Sequence, residues 1–280
     1  MSVSIVRKMA TDTRETLIVE REDGIVTVTM NRPHRKNAAS GTMWSELLQV
    51  FREIHDSTRD RVLVLTGAGG DFCSGADVGG MDERANSAEP TSDDPPRHQL
   101  ASMRNITDIC LTLNRLPQPT IAKVRGVAVG AGLNMALSCD LVVGDETSRY
   151  SEIFARRGLS LDFGGSFLLP RRVGLHKAKE LALLADIIDA KEAEAIGLVN
   201  RIVPSSEIDA FVDDWAQRLA AGPPIALAMS KRLLNNSMNV TLEEALDDEG
   251  LSQTVNFSTA DTAEAMRAFI EKRPPNFSGR

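Results

Sequence analysis

Val64-Leu65-Thr66-Gly67-Ala68-Gly69-Gly70-Asp71-Phe72-Cys73-Ser74-Gly75-Ala76-Asp77 passes from an apolar, strand-like run directly into a turn of small residues. The pattern returns further along. Ile121 to Val124 is apolar, and Gly126-Val127-Ala128-Val129-Gly130-Ala131-Gly132 carries it into the helical stretch Leu133 to Leu137. Small residues at a strand-to-helix junction leave backbone N–H groups uncovered and let a ligand come close. Two such turns facing one point can hold a single carbonyl oxygen while it gains negative charge. The pair therefore points to an oxyanion hole and to an enzyme. The competing reading of each turn, tight strand–helix packing without a ligand, weakens once the two are taken together.

Working outward, Leu17 to Glu20 and Ile25 to Met30 flank an Asp23-Gly24 turn and read as a hairpin. Asn31-Arg32-Pro33 closes the second strand. Ser40 opens a helix carrying Met43, Leu47, Val50, Phe51 and Ile54 at helical spacing. A helix around Leu100 to Leu116 and a strand from Leu141 to Val143 extend the alternation, which indicates an α/β core. Met81 to Arg97 is acidic, contains proline and is almost free of large apolar side chains. It reads as a loop beside the first turn, either a substrate lid or a surface insertion. From about Ser206 the β pattern stops. Ile208, Phe211, Val212, Trp215 and Leu219 fall at helical spacing, and Thr241-Leu242-Glu243-Glu244 is a capping box. The organisation expected is a polar extension (1–15), an α/β core (16–205) and a helical appendage (206–280).

The chain has 280 residues, enough for one large domain or a domain with an appendage. A net charge of −7 argues against nucleic acid or an anionic membrane as partner. No apolar run approaches the ~18 residues of a membrane span. Three scattered cysteines lack metal-type spacing and suit a reducing cytoplasm, and no metal site is expected. The four histidines fit no metal or triad arrangement.

Asn31-Arg32-Pro33 to Asn37-Ala38, residues 64–77, Gly126 to Leu133, Cys139-Asp140, residues 169–174, residues 193–204 and residues 268–277 together resemble the crotonase, or enoyl-CoA hydratase/isomerase, superfamily. The resemblance runs in order from about Thr16 to Phe277. It implies a spiral of ββα units with a C-terminal helical region, assembled as a homotrimer or a pair of trimers. It also implies an acyl-CoA substrate whose thioester oxygen lies between two backbone N–H groups, here those of Ala76 and Ala131. CoA is then part of the substrate, and no separate cofactor is expected. The family usually has glycine at the second position; alanine keeps the N–H and trims the pocket.

Hydratases of this family flank a water with two glutamates. The matching positions here are Asn134 and Phe154, and neither can take a proton. Glu152 lies two residues away and would require a local shift. Asp162 remains, in Gly158-Leu159-Ser160-Leu161-Asp162-Phe163-Gly164-Gly165-Ser166. An aspartate here is similar to that of dienoyl-CoA isomerases and of the 1,2-epoxyphenylacetyl-CoA isomerase group. Local sequence alone also allows a helix N-cap at Asp162. Burial would raise its pKa and a helix terminus would lower it, so the sequence leaves the sign open.

The leading expectation is isomerisation through an enolate with Asp162 as the single base and Asn134 orienting the thioester or the moving proton. Hydration or hydrolysis through a positioned water is the enzymatic alternative, and a non-catalytic acyl-CoA-binding homologue is the third. The resemblance places Arg35, Lys36 and Ala38 beside the CoA adenine and Phe269 and Lys272 on CoA, often from an adjacent subunit. Ser74, Gly75, Asp77 and Phe154 line the substrate site, with Asp77 read chiefly as an anchor of the first turn. Met81, Leu159, Leu161, Phe154 and Phe163 suggest an apolar tail pocket.

Overall fold

The computed structural model describes residues 10–77, 79 and 99–280, so the acidic stretch 81–97 lies outside the described residues. The chain opens with strands β1 (Ala10–Thr13), β2 (Leu17–Glu22) and β3 (Ile25–Met30), paired antiparallel. Asp23 and Gly24 both have positive φ (51° and 83°), the twist a tight hairpin requires. The stretch read as a polar extension thus supplies an exposed edge strand, β1.

β3 then pairs parallel with β4 (Val62–Gly67), β4 with β5 (Thr120–Val124), β5 with β7 (Leu141–Asp145), and β7 with β10 (Arg201–Val203). The result is a seven-stranded sheet in the order β1-β2-β3-β4-β5-β7-β10. β4 reads Val62-Leu63-Val64-Leu65 without polar alternation because both of its faces are covered. Leu63 and Leu65 pack with helix α1 (Gly41–Asp56), whose Met43, Leu47, Val50, Phe51 and Ile54 are all fully buried, and with α2 (Gln99–Asn114). Val62 and Val64 face the opposite way, onto Ile208, Val212 and Ala216 of a later helix (Ile208–Ala220).

A second sheet has three strands: β6 (Val127–Val129) runs parallel to β8 (Arg149–Ser151), which pairs antiparallel with β9 (Ile188–Asp189). Helix α3 (Ala131–Leu137) leaves the end of β6 with all seven residues buried. α4 (Gly165–Leu184) breaks at Gly174, where φ 75° and ψ 159° depart from helical values. After α5 (Ala190–Ala195) and α6 (Ile208–Ala220), the chain is helical through α7 (Pro224–Asn236), α8 (Leu242–Phe257) and α9 (Ala260–Glu271). Thr241 and Glu244 form the reciprocal capping box that opens α8. α7 is held to the sheet by an ion pair of Lys231 with Asp140 at 2.8 Å. The same carboxylate accepts from Thr120 N–H and hydroxyl.

Candidate active site

The site begins where the segment after β4 lies down beside β6. Phe72 N–H donates to Arg125 O, Cys73 N–H to Val127 O, and Val129 N–H returns to Cys73 O, at 2.8, 2.9 and 3.0 Å. Asp71 Oδ1 accepts from Val127 N–H at 3.0 Å. These contacts leave no space for side chains: a Cβ on Gly132 would meet Cys73 O at 2.3 Å, and one on Gly126 would meet Gly70 O at 2.3 Å. Gly75, at φ 98°, faces the second turn so closely that its Cβ would stand 3.0 Å from Val129 O and 3.9 Å from Ala131 N. The two glycine turns therefore abut at Gly75 and Ala131.

The other side of the first turn is stitched to residues 35–39. Ser74 N–H donates to Lys36 O, Ala39 N–H to Gly75 O, and Asp77 N–H to Ala39 O, each near 3 Å (3.0, 2.8 and 3.0 Å). The Ser74 hydroxyl adds a bond to Arg35 O. This brings Arg35, Lys36 and Ala38 alongside the first turn. Asn37, fully buried, clamps the arrangement: its side chain accepts from Arg32 N–H and donates to Ala68 O and Asp71 O. Asp77 pairs with Arg32 at 2.8 Å, and that guanidinium holds its carboxyl below the usual carboxylate range. After this stitching the N–H groups of Ala76 and Ala131 have no hydrogen-bond partner among the described residues. Two such groups on abutting turns are competent to receive one oxygen.

Beside the second turn lies a buried polar cluster. Asn134, on α3, is fully buried and donates from Nδ2 to Glu152 Oε2 (3.3 Å) and to Asp162 O (3.0 Å). Gly165 makes this possible, since a Cβ there would fall 2.4 Å from Nδ2. Phe154 closes the near side, its ring edge 3.7 Å from a Cβ placed on Gly130. Glu152 is fully buried, and burial raises its carboxyl to about 8. Burial likewise raises Asp162 to about 6. Asn134 Oδ1, Glu152 Oε1 and Asp162 Oδ1 each lack a hydrogen-bond partner among the described residues.

Asp162 does not cap a helix. The cap position of α4 is Gly164, and Phe163 and Gly164 both adopt positive φ (46° and 79°). The intervening left-handed pair separates the carboxylate from the first helical N–H groups, and the main-chain oxygen of Asp162 accepts from Gly165 N–H instead. A left-handed phenylalanine is costly, by roughly 1–2 kcal/mol. Its ring rests against Trp44 with centroids 5.5 Å apart, and its carbonyl accepts from Cys110 Sγ.

Phe269 and Lys272 stand at the far end of α9. Phe269 is 84% exposed, and among the described residues no hydrogen bond, ion pair or ring contact ties either residue to the two turns. Sequence reasoning left Asn37 without a role and gave Glu152 only a conditional one. Glu152 follows the buried Tyr150 and Ser151 at the end of β8 and stands at the cap position of the 3-10 turn 153–157, so no strand alternation marks its side chain as inward.

Two abutting glycine turns with uncovered N–H groups, next to a desolvated carboxyl cluster, match the sequence pattern of one family along most of the chain. The model of the family described as enoyl-CoA hydratase/isomerase matches residues 20–280. The chain belongs to the enoyl-CoA hydratase/isomerase family. Within it, the protein is 32% identical over 266 residues to a 1,2-epoxyphenylacetyl-CoA isomerase of Escherichia coli, covering 95% of this chain and 99% of the relative. It is 34% identical to a probable enoyl-CoA hydratase of Rhodobacter capsulatus, covering 95% of this chain and 98% of the other. Among solved structures, a putative enoyl-CoA hydratase from Streptomyces coelicolor superposes with a TM-score of 0.88 at 36% identity, covering 99% of this chain and all of that one. The architecture is thus that of the crotonase superfamily, and the chain is a family enzyme acting on CoA thioesters.

Proposed function

We propose that this family member isomerises an enoyl-CoA thioester through an enolate, with Asp162 as the base. The observation that carries the proposal is the half-buried Asp162 carboxyl, one oxygen unpartnered among the described residues, beside positions where Asn134 and Phe154 stand in place of the hydratase glutamates. Asp162 takes a proton from one carbon of the acyl chain. The C–H electron pair moves into the conjugated system, and the thioester oxygen becomes an oxyanion held by the Ala76 and Ala131 N–H groups. The same proton returns to a different carbon, the oxyanion reforms the carbonyl, and the double bond has moved. Asn134 holds the Asp162 main chain in place. Arg35 and Lys36 offer cations to the CoA phosphates beside the first turn, Ala38 borders the adenine, and Phe154, Phe163, Leu159 and Leu161 line the acyl pocket.

A positioned base contributes roughly 10²–10⁴-fold. Asp162→Asn is expected to lower turnover by that factor while acyl-CoA binding persists, measured as solvent deuterium exchange and double-bond migration on a panel of enoyl-CoAs. Unchanged turnover in the variant would remove Asp162 from the mechanism. Hydration is the second reading, favoured by the buried Glu152 carboxyl and by the hydratase name of the Rhodobacter relative. Sustained hydration of crotonyl-CoA without double-bond migration would establish it instead.

We further propose a homotrimer or a pair of trimers, in which Phe269 and Lys272 reach the CoA of a neighbouring copy. The apolar surface of α8 and α9 supports this: Leu251, Phe257, Phe269 and Ile270 are all at least two-thirds exposed (68%, 70%, 84% and 78%). The three buried, unpaired cysteines fit a reducing cytoplasm.

A further inference from the structure

Glu152 is unexplained by the reaction just described. It is a fully buried carboxyl one hydrogen bond from Asn134, which itself bonds the main chain of the proposed base. A charged side chain is seldom fully buried unless it is paired. No cation pairs with it here: among the described residues no lysine, arginine or histidine forms an ion pair with Glu152 or Asp162. The titratable groups facing Asp162 are Glu152, on the turn after β8, and Cys110, on α2. The groups facing Glu152 are Asp162 and, from α3, the neutral amide of Asn134.

Two carboxyls in one desolvated pocket without a counter-charge cannot both ionise cheaply. One must remain neutral for the other to serve as a base. The environments differ in the direction this requires, since Glu152 is fully enclosed and Asp162 is partly open. A pair whose environments separate its members in this way divides into acid and base.

We infer that Glu152 is a positioning residue for the Asp162 base, fixing Asn134 between its own carboxyl and the Asp162 main chain and acting as the uncharged member of the pair. In its neutral form it accepts the Asn134 amide and adds no negative charge to a pocket where an oxyanion must develop. Once ionised, it places a second anion beside Asp162 and beside the enolate, and turnover falls. The inference rests on the reading of Asp162 as base.

The wild-type rate should therefore rise as pH passes about 6 and fall again as it passes about 8. Glu152→Gln keeps an acceptor for Asn134 and cannot ionise. It is expected to hold kcat near neutrality within about two-fold and to lose the alkaline limb while keeping the acid limb. Glu152→Ala frees Asn134 and is expected to lower kcat by about 10²-fold with little change in KM. A residue that only fills space would lower the rate equally at every pH.

An alkaline limb unchanged in Glu152→Gln overturns the inference. Loss of the acid limb in Asp162→Asn, in the same series, would leave the base assignment standing. Should the glutamine variant fold poorly, ¹³C-carboxyl NMR titration of the wild type decides the matter. A glutamate still protonated at neutral pH supports the inference, and full ionisation of every glutamate by pH about 6 overturns it.

Discussion

Asp162 and Glu152 are ionisable groups whose burial works against the fold as well as for the chemistry. Glu152 has an ordinary value of 4.5 and is raised to about 8 by desolvation, so between those values the native state holds a proton that the unfolded chain has released. Stability then falls as pH rises through that window and stays reduced above it. Removing the charge removes the loss. Glu152→Gln is predicted to be more stable than wild type above pH about 8, by roughly 2–4 kcal/mol. The difference should vanish below the usual carboxylate range, as thermal melts across pH would show. Equal melting at all pH values would mean that Glu152 is already solvated. The same burial explains why the cluster was only partly legible in the sequence. Asp162 stood out because a family pattern and a glycine turn marked it. Glu152 is a lone acidic letter at the junction of β8 and the turn that follows it, and no periodicity there betrays its direction.

At the scale of elements, the turns were readable because their glycines answer to contacts rather than to flexibility. Gly132 stands where a Cβ would collide with a main-chain oxygen at 2.3 Å, and a backbone atom cannot rotate away. Gly41 begins α1 with nothing within 4 Å of its would-be Cβ. Gly132→Ala is predicted to destabilise the protein by more than about 3 kcal/mol and to abolish turnover, because the second turn must retreat from the first. Gly41→Ala should leave melting unchanged or raise it by a few tenths of a kcal/mol. Thermal denaturation of both variants checks this, and a mild Gly132→Ala would show that the turns can separate. The strands and α1 followed from apolar periodicity, since local pattern and burial agree there. The break of α4 at Gly174 and the Asn37 clamp did not follow. The first depends on which way the chain must head next, and the second on partners 31 and 34 residues away.

On the scale of the whole molecule, the C-terminal helical region carries large apolar side chains that a lone copy leaves exposed. Phe257, Phe269 and Ile270 expose most of their surface, and exposed apolar side chains of this size are what the proposed association of copies would cover. Phe257→Asp combined with Ile270→Asp is predicted to shift the sedimentation coefficient from that of an oligomer to that of one chain and to weaken CoA binding. A wild type that already sediments as one chain would defeat the proposal. The family and its fold were legible along nearly the full length, because motif order is preserved from the first hairpin to α9. Assembly entered only as what the family resemblance implies, since a single chain holds half of any contact it makes with a copy. One consequence belongs to the two alanines at the junction of the turns. Their side chains have nothing left to delete, so scanning mutagenesis would pass over both without a mark. Whatever those amides do is written in the path of the main chain, and its loss on warming should coincide with the melting of tertiary structure.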